Sequence, residues 1–235
     1  MVPLTDNNPT QTTPYVVYLL ILANVLVFLY QLSLPVAELE QFFFRYAVVP
    51  KDLTVAFNSG DTSLLLPELM TLFTSQFLHG GILHIAGNML FLAIFGNNIE
   101  DKMGHFRFLL FYLICGALAA LSHWFFSMDS TIPSLGASGA IAGVLGAYIL
   151  RFPKAKITTL VPLGFFFFTV RIPAIFFLGF WFFQQALFSV ASLNVPTNMN
   201  AEGGGVAYWA HAGGFVFGML LAPLFGLFSR DRYAS

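Results

Sequence analysis

Charge is what this sequence has least of. Asp, Glu, Lys and Arg make up 9% of its 235 residues, against roughly 25% in soluble globular chains. So few charges cannot cover the surface of a soluble protein of this length, which excludes a soluble enzyme and a disordered chain. The ten Lys and Arg are scattered, which excludes the basic patch of a nucleic-acid binder. A net charge of −1 implies no electrostatic partner. Cysteine is nearly absent as well. Cys115 stands alone in an apolar run, so no internal disulfide and no Cys-based metal site can form. What fills the chain instead is apolar, at 57% of residues and a mean hydropathy of +0.78.

The few charges also leave long gaps. None falls within Tyr15–Leu34, between Glu68 and Glu100, between Arg107 and Asp129, between Asp129 and Arg151, between Arg171 and Glu202, or between Glu202 and Arg230. A helix needs ~20 apolar residues to cross the hydrocarbon core. The gaps therefore predict an all-α, polytopic bundle of six membrane spans, at about 15–34, 82–99, 108–128, 136–150, 172–193 and 206–229. The fourth is short and follows Pro133, which suits a helix inside the bundle. The chain then divides into an N-terminal segment 1–14, a membrane domain 15–229 and a tail 230–235.

With the N-terminus inside, eight basic residues fall on the inner side: Lys102, Arg107, Arg151, Lys154, Lys156, Arg171, Arg230 and Arg232. Only Arg45 and Lys51 fall outside. That bias predicts both termini in the cytoplasm. Met1–Pro14 has no Lys or Arg, unlike a cleaved signal peptide or a mitochondrial presequence, so a prokaryotic plasma membrane is the expected location. Two connections are not plain loops. The 35–81 segment mixes apolar clusters with charges and is expected in the membrane interface. Ile157–Val170 is too short to span and is expected half-immersed on the inner side, or as a re-entrant hairpin.

Polar residues inside spans are costly and so are functional candidates. His84 and Asn88 are spaced i, i+4 and point from one helix face; the plainer reading makes them hydrogen-bonding glue between helices. Ser138 sits in Gly136-Ala137-Ser138-Gly139 at a helix start, where unpaired backbone N–H groups stabilise an anion. A membrane serine more often bonds its own backbone, but the flanking glycines favour function. Gly139, Gly143 and Gly146 form a bare stripe that admits a close neighbour. His211 is followed by Gly214 and Gly218 on its own face, and the stripe beside Ser138 is its natural partner. His79 reads as structural and His123 as interfacial.

Together these residues carry a chemistry. Ser138 supplies a hydroxyl nucleophile and His211 a base for its proton. With no acidic residue in the spans, this is a dyad rather than a triad. His84, Asn88 and the Ser138 backbone N–H can form an oxyanion hole. A base must be neutral, and free histidine titrates at ~6.5, so activity is expected to fall in acid.

At this point the sequence resembles the rhomboid family of intramembrane serine proteases. It matches in His84-x-x-x-Asn88, in Gly136-Ala137-Ser138-Gly139, in His211-x-x-Gly214-x-x-x-Gly218 and in Glu100-Asp-Lys-Met-Gly104, with His79 five residues before His84. The likeness runs from about 67 to 228. The resemblance implies that Ser138 is the nucleophile and His211 the base. Gly136 would shape the serine loop, and His84 and Asn88 would donate to the oxyanion. His79, Glu100 and Gly104 would be structural. Phe180–Gln185 on the fifth span and the Asn194–Gly205 loop would form a gate and cap. Substrates would be transmembrane proteins in the lipid bilayer, with no metal, cofactor or nucleic acid.

One position departs from the pattern. Many family members carry an aromatic residue four positions after the serine, stacked on the histidine. Here it is Ala142, so something else must orient His211, close packing at Gly214 being one candidate. Two other readings compete. An inert relative acting as a scaffold or chaperone would typically lack the serine or histidine. A transporter would need charged groups along its path, and the spans hold none.

Overall fold

The computed structural model describes residues 2–163, 166–192 and 207–229. Its elements run β1 (Val2–Asp6), α1 (Tyr15–Ser33), α2 (Val36–Tyr46), α3 (Pro50–Ser59), α4 (Thr62–Thr74), α5 (Ile82–Phe91), α6 (Asn97–Met103), α7 (His105–Phe126), α8 (Ser138–Arg151), β2 (Lys156–Leu163), β3 (Phe166–Pro173), α9 (Ala174–Ser192) and α10 (Tyr208–Leu221). A π-helical turn at Leu92–Gly96 joins α5 and α6 into one helix, Ile82–Met103.

The protein is mostly helical, and among the described residues four helices are long and apolar enough to cross a membrane: α1, the joined α5–α6, α7 and α9. The fourth and sixth expected spans are shorter. α8 and α10 have 14 residues each, ~21 Å at 1.5 Å per residue. For α8 the reason is burial. Every residue from Gly139 to Tyr148 is buried, so its length answers to neighbouring helices rather than to lipid. α10 stops early because Pro223 cannot continue a helix; turns follow through Phe228. The 35–81 segment folds into α2, α3, α4 and a 3₁₀ turn at Ser75–Phe77. Leu53 and Leu72 face inward with Val48 and Ala117, while Phe44, Phe57, Leu64 and Leu66 stay exposed.

Ile157–Val170 forms most of an antiparallel hairpin, β2 with β3, in register from Lys156–Pro173 to Leu163–Phe166. The N-terminal segment adds a third strand, pairing Val2 with Leu160 and Asp6 with Ile157. Pairing satisfies backbone groups that an irregular loop would leave open, and the β-branched and aromatic residues here suit strands. The bundle thus carries a small sheet that charge spacing does not reveal.

One end of the bundle is pinned by two adjacent carboxylates. Glu100, fully buried, accepts the Val16 and Val17 backbone N–H groups at 2.9 and 2.8 Å. Pro14 gives α1 no side-chain cap, so these are helix-start donors that would otherwise lack partners. Asp101 accepts from the Gln11 and Thr12 N–H groups at 3.0 and 2.8 Å. Gly104, at φ +80°, then reverses the chain into α7 in a conformation that favours glycine.

Candidate active site

Two glycine stripes bring the site together. A Cβ added at Gly214 would land on the Gly139 carbonyl oxygen, and one at Gly218 on that of Gly143. One at Gly146 would land on the Phe215 carbonyl. α8 and α10 therefore pack backbone to backbone, a closeness only glycine permits. Gly139 and Gly143 also face α7, where added Cβ atoms would meet Ala119 at 2.7 Å and Cys115 at 2.6 Å.

This contact sets Ser138, the first residue of α8, against His211 in the first turn of α10. The Ser138 Oγ lies 2.7 Å from the His211 Nε2. On the other edge of the ring, Nδ1 lies 2.7 Å from the Gln185 Oε1 on α9. The loop before Ser138 turns at Gly136, φ +125°, a region L side chains rarely adopt. The Gly136 N–H donates to the Ser75 carbonyl at 2.9 Å, anchoring that loop to the turn after α4.

His84 and Asn88 stand one turn apart on α5. A Cβ at Gly136 would be 2.9 Å from the His84 Nε2 and 3.6 Å from the Ser138 Oγ, so the His84 ring lies against the serine loop. The Gly80 N–H donates to the His84 Nδ1 at 3.4 Å; an accepting Nδ1 places the ring proton on Nε2. Asn88 is buried, and its Nδ2 lies 3.0 Å from the His79 Nε2. His79 is held in turn by Gln31 of α1, which donates to the His79 carbonyl at 2.8 Å and accepts its N–H at 3.1 Å. The arrangement offers a hydroxyl, an adjacent imidazole and at least one N–H donor beside them. Those are the parts needed for acyl transfer.

The Rhomboid domain family model matches residues 66–228, most of the chain. The chain belongs to the rhomboid family. Rhomboid protein 1, mitochondrial, of Saccharomyces cerevisiae is 32% identical over 216 residues, covering 87% of this chain and 51% of the yeast protein. Rhomboid protease GluP of Bacillus subtilis is 43% identical over 96 residues, 40% of this chain and 18% of that protein. RHOMBOID-like protein 4 of Arabidopsis thaliana is 30% identical over 165 residues, 69% of this chain and 35% of that one. This rhomboid thus spans about half or less of the length of these relatives. It is an integral, multi-pass membrane protein.

Within this rhomboid the residues singled out from sequence fall into two places. Ser138, His211, His84, Asn88, His79 and Gly136 gather around the start of α8. Glu100 and Gly104 lie at the opposite end of the bundle and hold α1 and α7. His123 lies near the end of α7 with its Nδ1 buried, and among the described residues nothing bonds that atom. The Asn194–Gly205 loop and the 230–235 tail lie outside the described residues. Gly214 sets the helix spacing, and Gln185 makes the directed contact to His211. Sequence reading placed Gln185 in the gate region without a role. The glutamine pair Gln184 and Gln185 on a largely apolar helix was the available signal. Among the described residues, no three His, Cys, Asp or Glu side chains cluster to hold a metal.

Proposed function

We propose that this rhomboid is an intramembrane serine endopeptidase that hydrolyses peptide bonds in or near transmembrane segments of other membrane proteins. The observation that carries this reading is the 2.7 Å approach of the Ser138 hydroxyl to the His211 Nε2. The His211 Nε2 takes the Oγ proton as Oγ attacks the substrate carbonyl carbon. The oxyanion accepts from the Ser138 backbone N–H, from the His84 Nε2–H and from the second N–H of Asn88. His211 then gives its proton to the leaving amine, and the acyl group remains on Ser138. Water enters, loses a proton to His211, attacks the ester and releases the acid, and the proton returns to Oγ. Each oxyanion donor is worth ~3–4 kcal/mol of transition-state stabilisation.

The same reading sets the geometry of delivery. Both termini lie on the cytoplasmic side of a prokaryotic plasma membrane, which puts Ser138 toward the outer face. A helical substrate satisfies its own backbone, so the scissile bond must leave the helix before Ser138 reaches it. Substrates with Gly, Pro or polar residues near a small residue at the cut are favoured.

Labelling with a fluorophosphonate tests the reading without a known substrate. The parent chain in lipid reacts at Ser138, and Ser138→Ala and His211→Ala do not. Absence of labelling in the folded parent, or equal labelling of Ser138→Ala, contradicts it and favours an inert scaffold.

A further inference from the structure

We propose that Gln185 of α9 is the positioning residue for His211, so that α9 is part of the machinery that activates Ser138. The inference rests on the protease reading and adds a third member to its site.

Both edges of the imidazole are engaged. Ser138 is on Nε2 and Gln185 is on Nδ1, each at 2.7 Å. Two bonds on opposite edges fix the ring in its plane. They also fix the proton. An amide oxygen only accepts, so an Nδ1 facing the Gln185 Oε1 carries the hydrogen, and the Nε2 lone pair is left for the Ser138 hydroxyl. With the opposite tautomer Nε2 is already protonated and cannot act as base. Gln185 thus selects the reactive tautomer as well as the orientation. Among the described residues nothing else bonds the His211 Nδ1.

The ring face has the same source. Ala142 is too small to cover it. Trp181 lies one turn before Gln185, on the same side of α9, with its ring centroid 5.9 Å from that of His211 at 35°. α9 is held in this register by Phe182, stacked on Phe215 of α10 at 4.7 Å. A neutral amide also suits the site's depth. A carboxylate would orient the histidine equally well but would bring a charge into the membrane, at a cost of several kcal/mol.

The test measures kinact and KI for a fluorophosphonate with purified full-length variants in lipid, each shown to unfold within a few degrees of the parent. Gln185→Leu keeps the volume and removes the acceptor. It should lower kinact about 10- to 100-fold, the range for groups that orient a histidine from behind, with KI changed less than about twofold. Gln185→Glu, which keeps an acceptor, should recover a large part of that loss. Phe188→Ala removes the packing of Phe188 on Tyr208, 5.2 Å away on α10, and controls for loosened docking of α9; its kinact should stay within about twofold of the parent. Three results overturn the proposal: kinact of Gln185→Leu within twofold of the parent, no recovery in Gln185→Glu, or an equal loss in Phe188→Ala. A parent that labels no faster than Ser138→Ala overturns the protease reading itself, a result distinct from all three.

Discussion

A fully buried carboxylate needs partners, and Glu100 has three: the Val16 and Val17 N–H groups and the His105 Nδ1, the last at 2.5 Å. Glu100→Ala leaves two helix-start N–H groups unpaired in the core. Each buried donor left without a partner costs ~1–3 kcal/mol. The variant should unfold several degrees below the parent, while Glu100→Gln, which keeps one acceptor oxygen, should fall between the two in a thermal melt. Equal midpoints for parent and Glu100→Ala would remove this role. At this scale the sequence was informative wherever a residue was costly in its setting. Ser138, His211, His84 and Asn88 stood out because a polar group in an apolar span must have a purpose or a partner. Gln185 had the same property but fell among aromatic neighbours with no motif around it. Its role needs the distance to His211, which joins residues 26 apart and which no local pattern encodes.

Elements show where charge spacing works and where it fails. The long helices follow from gaps between charges, because lipid thickness sets their length. The ends of α8 and α10 do not, because neighbouring helices and Pro223 set them. The pairing of the β2–β3 hairpin is hidden for a related reason: in an apolar stretch too short to span, hydropathy does not distinguish paired strands from an immersed loop. The α8–α10 contact yields a sharp prediction. Gly218→Ala must push the Gly143 backbone away. It should cost ~1–3 kcal/mol, as overpacking does, and lower Ser138 labelling by separating the two helices. Gly87→Ala, with nothing within 4 Å of the added Cβ, should not destabilise and should gain up to ~1 kcal/mol of helix propensity. If the two variants melt together, the close approach is not what holds these helices.

The sheet carries its own pH dependence. Burial holds the Asp6 carboxyl above its ordinary value of 3.8, against the hydrogen bonds from Tyr148 and Asn8 that pull it down. A carboxyl raised in the fold favours the folded state when protonated. That contribution is complete below the unfolded value near 3.8 and is lost as pH rises through the folded one. In the fold the Asp6 carboxyl is partly desolvated, while accepting from the Asn98 amide at 3.0 Å. Asp6→Asn removes the charge and keeps an acceptor oxygen. Its melting point relative to the parent should be higher at pH 7 than at pH 4; the reverse trend would mean that the ionised form is the one the fold prefers.

Over the whole molecule, the site occupies one end of α8 and the sheet and the Glu100 cluster occupy the other. α8 is enclosed by protein for nearly its full length, so the serine it carries is positioned by packing rather than by lipid. On the proposed protease reading, the substrate helix must unwind before its backbone reaches Ser138. A membrane-embedded peptide with Gly near a small residue should be cut faster than a uniformly Leu-rich one of equal length, and equal rates would undo the unwinding argument. The most direct measurement joins Ser138 to this chemistry. The parent chain and Ser138→Ala are reconstituted in liposomes with a Gly-containing transmembrane peptide, and the products are read by mass spectrometry. Two fragments that sum to the peptide plus one water, formed by the parent and absent with Ser138→Ala, are the predicted result. The same fragments formed at the same rate by Ser138→Ala would contradict the account.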